Sequence, residues 1–269
     1  MLGDETTLRY LVRRIDRKEV QAAGVLPWSC PVPVFGDLRN SCLATVGINP
    51  SNLEFTDRAG KELIGLGRRF PTLNALQLES WAAIKAPELK ALAFSYKNYF
   101  SAQPYRRWFD VLDDVIEGTG VGFYGSGARA CHLDLVPYAT ATKWGQLKAI
   151  HKRELLGGTR DLMGDLVRSS PLKVLVLNGT TVVKAFAAMT AIGFTVTRQP
   201  AWDLPRARTA PVRGFSFQGS IDQIGSVKLL RSITVIGFNH NLQSSHGITT
   251  GVKHASKSWI TENVGEINR

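Results

Sequence analysis

CLATVGINPSN, residues 42–52, starts as an unbroken apolar run and ends in a turn-forming Asn-Pro-Ser-Asn. A run with Val and Ile and without polar alternation fits a strand covered on both faces. Three more runs share that character: CHLDLVPY (131–138), KVLVLNG (173–179) and SITVIGFN (232–239). Longer amphipathic stretches separate them: TLNALQLESWAAI (72–84), PELKALAFSYKNYF (87–100), YRRWFDVLDDVIEG (105–118), GQLKAIHKRELLGGTRDLMGDLVR (145–168) and TTVVKAFAAMTAIG (180–193). In the last, Thr180 or Thr181 supplies an N-cap and Gly193 a stop. Strand and helix in alternation predict an α/β fold, a three-layer α/β/α sandwich around a central four-stranded parallel sheet with right-handed crossovers.

The segment from Thr195 to Val227 breaks this rhythm, being rich in Pro, Gly and Arg. Its VRGFSFQGS (212–220) reads as an edge hairpin or as a loop laid over the sheet. SHGITTGVKHASKSWITENVGEI (245–267) reads as a final helix. No internal repeat, low-complexity tract or shift in composition marks a boundary, so residues 1–269 are expected to form one domain.

A formal net charge of +11 makes a polyanion the favoured partner, because each Lys or Arg that neutralises a phosphate releases a condensed counterion. The cations do not form one tail. They recur as RRIDRK (13–18), GRRF (67–70), YRRW (105–108), KAIHKR (148–153) and RQPAWDLPRARTAPVR (198–213), interleaved with aromatics. That distribution suits a folded surface facing nucleic acid. No stretch has the length of a membrane span, and the N-terminal residues lack an apolar signal core, so a cytoplasmic protein is expected. Cys30, Cys42 and Cys131 are widely spaced without a CxxC pair and read as buried reduced thiols, with no metal or cofactor implied. GVGFYG (120–125) matches Gly-x-Gly-x-x-Gly but precedes a strand, which argues against a dinucleotide site.

In an open parallel sheet, ligands bind beyond the carboxyl ends of the strands. The four strand ends here carry Gly47-Ile48-Asn49-Pro50-Ser51, then Asp134 to Tyr138, then Asn178-Gly179-Thr180-Thr181, and finally Asn239 to Gly247. An Asn, an Asp and a His facing one cleft, with no metal set and no Ser or Cys nucleophile elbow, suit water positioning and leaving-group stabilisation.

VGINPS (46–51) resembles the first motif of the uracil-DNA glycosylase superfamily, Gly-x-Asn-Pro-Gly/Ser, in the branch that includes the mismatch-specific and single-strand-selective enzymes. FNHNLQSSHG (238–247) resembles a degenerate form of the last motif, His-Pro-Ser followed by a wedge loop, and lacks the proline after His. LDLVPY (133–138) falls where that branch carries Asn-x-x-Pro, and GRRFPTLNAL (67–76) is similar to the Phe-and-Asn stretch after the first motif. Close matching is confined to these four short segments.

The resemblance implies a monofunctional DNA glycosylase, needing no cofactor and acting as a monomer on DNA. It would flip out a pyrimidine nucleotide, hydrolyse the N-glycosidic bond and leave an abasic site. Asn49, fixed by Pro50, would orient the water, and His240 would stabilise charge on the departing base, with His246 as its substitute. Leu242 or Gln243 would be the wedge, in a DNA-contacting loop with Ser244, Ser245 and His246. Phe70 or Phe55 would stack on the base, Ser51 would leave room around C5, and Arg68, Arg69, Arg206 and Arg208 would hold phosphates. Asp134 departs from the family's Asn. An ionised carboxylate only accepts, which favours the exocyclic amine of cytosine over O4 of uracil. Excising plain cytosine would destroy the host genome, so the implied substrate is a modified cytosine, hydroxymethylated or glucosylated, in bacteriophage DNA, and the role antiviral defence. Uracil or mismatch repair, a non-catalytic nucleic-acid-binding protein and an enzyme acting on free nucleotides are the other expectations.

Overall fold

The computed structural model describes residues 5–125, 128–206, 210–243 and 247–265. Its spine is a single sheet of seven strands: β1 (Val34–Phe35), β2 (Leu43–Gly47), β3 (Ala130–Asp134), β4 (Val174–Asn178), β5 (Thr195–Arg198), β6 (Phe215–Ile224) and β7 (Val227–Phe238). They lie in the order β1-β3-β2-β4-β7-β6-β5. β3, β2, β4 and β7 are mutually parallel, and they are the four apolar runs of the sequence. Every residue of β2, β3 and β4 is buried, which is the environment that lack of polar alternation requires.

The sheet is nevertheless larger than the four strands expected. β1 adds antiparallel to β3 at one edge, and β6 and β5 add antiparallel beyond β7 at the other. VRGFSFQGS meets the edge-hairpin expectation in part: its FSFQGS half begins a ten-residue strand that pairs antiparallel with both β7 and β5 at that edge. β7 starts before its apolar run does, because its first half pairs with β6 alone and β4 joins only at Thr234. That half alternates between buried and exposed positions.

The helices are α1 (Glu5–Ile15), α2 (Lys18–Ala22), α3 (Ala86–Lys97), α4 (Arg106–Ile116), α5 (Ala149–Gly157), α6 (Arg160–Arg168), α7 (Thr180–Thr190) and α8 (Thr250–Val264). They cover both faces. Phe109 of α4 meets the His132 ring of β3 edge-on at 5.3 Å, whereas Val183 of α7 lies under Gly237 on the opposite face. α8 is capped by Thr249 and tied to α4 by Lys257, which bonds Asp114 at 3.0 Å. Among the described residues, no helix is long and apolar enough to cross a membrane. Cys30, Cys42 and Cys131 are buried and unpaired.

Two helix expectations need correction. TLNALQLESWAAI forms no long helix: Thr72 Oγ1 accepts from Ala75 N, Gln77 turns to φ 55°, and only Trp81–Ala83 closes a 3-10 turn. There Trp81 is buried with its indole N–H on Pro27 O, so tertiary burial of one large ring overrides the helical spacing. α7 is preceded by Gly179 rather than capped by a threonine side chain, and it ends at Ala191 (φ 54°) rather than at Gly193. Thr180 Oγ1 instead donates to Asn239 O.

An aromatic cluster of Phe35, Phe70, Tyr99, Phe100, Phe109 and Phe123 fills the space between α4 and the sheet. Replacing Phe109 by Ala is expected to cost about 3–5 kcal/mol in urea denaturation, because its ring touches four other aromatics and His132.

Candidate functional site

The strand register sets the candidate site. Gly47 pairs with Asp134, Asn178 pairs with Phe238, and Val46 with Leu177, so Asp134, Gly47, Asn178 and Phe238 form one row across the carboxyl end of the parallel strands. Side chains of such a row share a face, and Gly47 leaves its place empty. Asp134 and His132 lean into that place: a Cβ on Gly47 would overlap Asp134 Oδ1 and stand 2.8 Å from His132 Nε2.

Asn49 lies two residues further on and is partly exposed. Its Nδ2 donates to Pro50 O, Tyr138 O and Thr140 Oγ1, each at 3.2 Å. Two of these partners are carbonyls that can only accept, so the nitrogen must face them and the amide cannot be turned. Asn49 Oδ1 accepts no hydrogen bond from the described residues. A fixed carbonyl oxygen with free lone pairs can hold a water by its hydrogen and aim the water's oxygen elsewhere.

Asp134 is buried at the end of β3. His132 Nε2 stands 3.4 Å from its Oδ1, and His132 Nδ1 is 2.7 Å from Thr45 Oγ1. Burial raises the Asp134 carboxyl above the ordinary aspartate range, and His132 opposes the rise. A second acid, absent from the sequence-based expectations, sits nearby. Glu54, in the 3-10 turn Asn52–Glu54 capped by Ser51, is 2 % exposed, accepts the Tyr99 hydroxyl at 2.8 Å and lies 4.0 Å from Arg69 Nε. Burial, and to a lesser degree the charge of Asp134, raise its carboxyl to about 7, against the lowering effects of Tyr99 and Arg69. One signal could have pointed to this cluster: a His two residues before an Asp in a strand, which puts both on one face.

His240 follows β7, and β4 lies between β7 and β2, so its strand is roughly 10 Å from that of Asn49. The imidazole is buried, and its Nε2 lies 2.7 Å from Trp202 O. A carbonyl must receive a proton there, so Nε2 carries the hydrogen and is occupied. Burial lowers the His240 pKa, leaving the ring neutral with Nδ1 as an acceptor. In this arrangement His240 has no free donor for a base oxygen, which corrects the role expected of it.

Several other expected contacts are turned inward. Phe70 and Phe55 are 1 % and 2 % exposed; Phe70 stacks on Tyr99 at 5.1 Å and Phe55 packs against Phe70 and Trp28, so neither presents a face to a base. Leu242 is buried, with its N–H on Asn178 Oδ1, and is no surface wedge. Gln243 also faces inward, its Oε1 accepting from Asn178 Nδ2 and its Nε2 reaching Trp108 O. Ser51 Oγ accepts from Leu53 N, its capping role. Arg69 donates to Leu53 O at 2.8 Å and lies over the Tyr105 ring, which commits it to the fold rather than to phosphate. Arg206 is exposed, and Arg68 is partly exposed with a buried Nε that has no partner. Ser244, Ser245, His246 and Arg208 lie outside the described residues.

A basic groove opens elsewhere, lined by Thr6, Arg9, Tyr10, Arg13, Arg14 and Arg17 of the N-terminal helix and its end. Arg14 is its buried member, held by Gly158 O and Glu154.

Glu54 gives the site a measurable signature. Its folded-state pKa of about 7 exceeds the ordinary 4.5, so its contribution to stability is complete below pH 4.5 and is lost as pH rises to 7. Glu54→Gln, which keeps the acceptor for Tyr99, is expected to remove roughly 3 kcal/mol of pH dependence across that window, measured by urea denaturation at a series of pH values. No protein-family model matches this chain, and no curated protein matches it, so the functional reading rests on the chemistry of the strand ends.

Proposed function

We propose that the protein is a monofunctional DNA glycosylase that hydrolyses the N-glycosidic bond of an extruded pyrimidine nucleotide. One observation carries this reading: the Asn49 amide is locked by three acceptors with its carbonyl oxygen left free, one strand away from a buried carboxyl whose pKa is raised. The first group orients water, and the second holds a proton for the leaving group.

Asp134 decides which base suits the site. A protonated carboxyl can give its proton to N3 of a cytosine ring and accept from the N4 amine with its other oxygen. The bond from N1 to C1′ then breaks with its electron pair passing to a ring already protonated, so the base departs neutral. The water held by Asn49 adds to C1′, and the proton it sheds balances the one Asp134 gave up. Uracil carries a hydrogen at N3 and offers no lone pair there, so this route favours a cytosine derivative. Since unmodified cytosine is the host's own base, the substrate is a hydroxymethylated or glucosylated cytosine of bacteriophage DNA, and the protein serves antiviral defence.

A non-catalytic nucleic-acid-binding protein is the rival reading. The burial of Asp134 and His240, and the engagement of His240 Nε2 by Trp202, favour it. Uracil or mismatch repair is the other alternative within glycosylase chemistry.

Duplexes carrying uracil, a thymine mismatch, hydroxymethylcytosine or its glucosylated form separate these readings when alkali-labile sites are scored after incubation. Sites are expected at the modified cytosines, lost in Asn49→Ala while DNA binding persists, and lost in Asp134→Asn. Because the acid form of Asp134 is required and its pKa is raised, the rate is expected to fall as pH rises through that raised value. Cleavage only at uracil would leave repair standing, and DNA binding without any abasic sites would leave the rival.

A further inference from the structure

The loop that follows the Asn49-Pro50 turn carries an exposed apolar tip. Leu66 is 89 % exposed, the highest among the large apolar residues described, and Ile64 is 62 % exposed. They flank Gly65, whose φ of 54° starts the 3-10 turn Gly65–Gly67. A Cβ placed on Gly60, Gly65 or Gly67 would meet nothing within 4 Å, so the tip stands clear of the rest of the molecule.

The base of the loop is built. Leu63 N donates to Phe55 O, Asp57 N to Lys61 O, and Asp57 Oδ1 accepts from Ala59 N and Lys61 N. Glu62 takes the Thr72 hydroxyl, so both acids of the loop are engaged internally. Arg58 and Lys61 are exposed and form no ion pair with the described residues, and the buried Arg68 Nε has no hydrogen-bond partner. The result is two exposed aliphatic side chains on a loop that also carries Arg58, Lys61 and Arg68, on a base continuous with Glu54 and the Asn49 turn.

We propose that Leu66, with Ile64, is the element that enters the base stack of duplex DNA, while Arg58, Lys61 and Arg68 hold the flanking phosphates. The inference rests on the glycosylase reading for its purpose, which is to fill the place a flipped nucleotide vacates. Apolar wedges of this kind separate base steps, and neighbouring cations supply the charge that brings a duplex to them. An anionic membrane matches the charge but not the apolar surface, since an interfacial element needs a continuous apolar face and this loop offers two side chains.

A duplex with 2-aminopurine beside a modified cytosine reads this directly, because the probe brightens when it unstacks. The protein is expected to raise the fluorescence, Leu66→Ala to lower that rise on the order of tenfold, and Leu66→Phe to restore it. Single-stranded binding and thermal melting should be unchanged in these variants, as Leu66 is 89 % exposed. Lys61→Ala should reduce the salt dependence of duplex binding by about one phosphate contact. Unstacking by Leu66→Ala equal to that of the unaltered protein would overturn the inference, as would a loss confined to binding of vesicles containing anionic phospholipid. Unstacking by the unaltered protein without abasic sites would sink the glycosylase reading and leave the wedge. Equal abasic-site formation in duplex DNA by the unaltered protein and Leu66→Ala would sink the wedge and leave the glycosylase.

Discussion

The missing side chain of Gly47 is the constraint around which the strand ends are built. In a parallel sheet every row of residues must be filled from several strands at once, and the last row here contains two polar side chains, Asp134 and Asn178, on either side of β2. Any larger residue at position 47 would push Asp134 and His132 out of the space they share. With glycine there, both can turn inward at the end of an otherwise apolar sheet. The polar site is thus a local exception that one residue permits, set at the edge where loops already converge.

Two buried acids near each other create a proton problem, and the surroundings settle it unevenly. Glu54 has the Tyr99 hydroxyl and Arg69 as partners, while Asp134 has His132, itself joined to Thr45. Desolvation is the largest influence on both carboxyls and favours the protonated form of each. Burial thus favours the acid form of both carboxyls, and the polar groups beside each oppose that shift. Shifts of this kind mark a candidate functional site, although structural ion pairs produce them as well.

The sheet core was legible because its signal is local: four apolar runs, each bounded by turn residues, correspond to the four parallel strands. β6 was harder, since a half-exposed antiparallel strand rich in Ser, Gln and Gly looks like loop until its partner is known. Asn49 could be singled out because Pro50 fixes it locally. His240, Leu242 and Gln243 could not be assigned from sequence, because the direction of each depends on partners far away in the chain: Trp202 O, Asn178 and Trp108 O. Phe55 and Phe70 failed for the same reason, their rings having been claimed by Trp28 and Tyr99. Glu54 escaped notice because one acid in an apolar run carries no spacing pattern.

The polar groups at the strand ends differ in how far the fold has committed them. On the β2 side, Asn49 is held in the one orientation that leaves its oxygen free. On the β7 side, Trp202 O occupies the His240 donor and Gln243 fills the space beside Asn178, so any ligand reaching both sides must displace protein contacts first. Those contacts are hydrogen bonds of ordinary strength, each worth on the order of 1 kcal/mol net, so exchanging them for contacts to a ligand costs little.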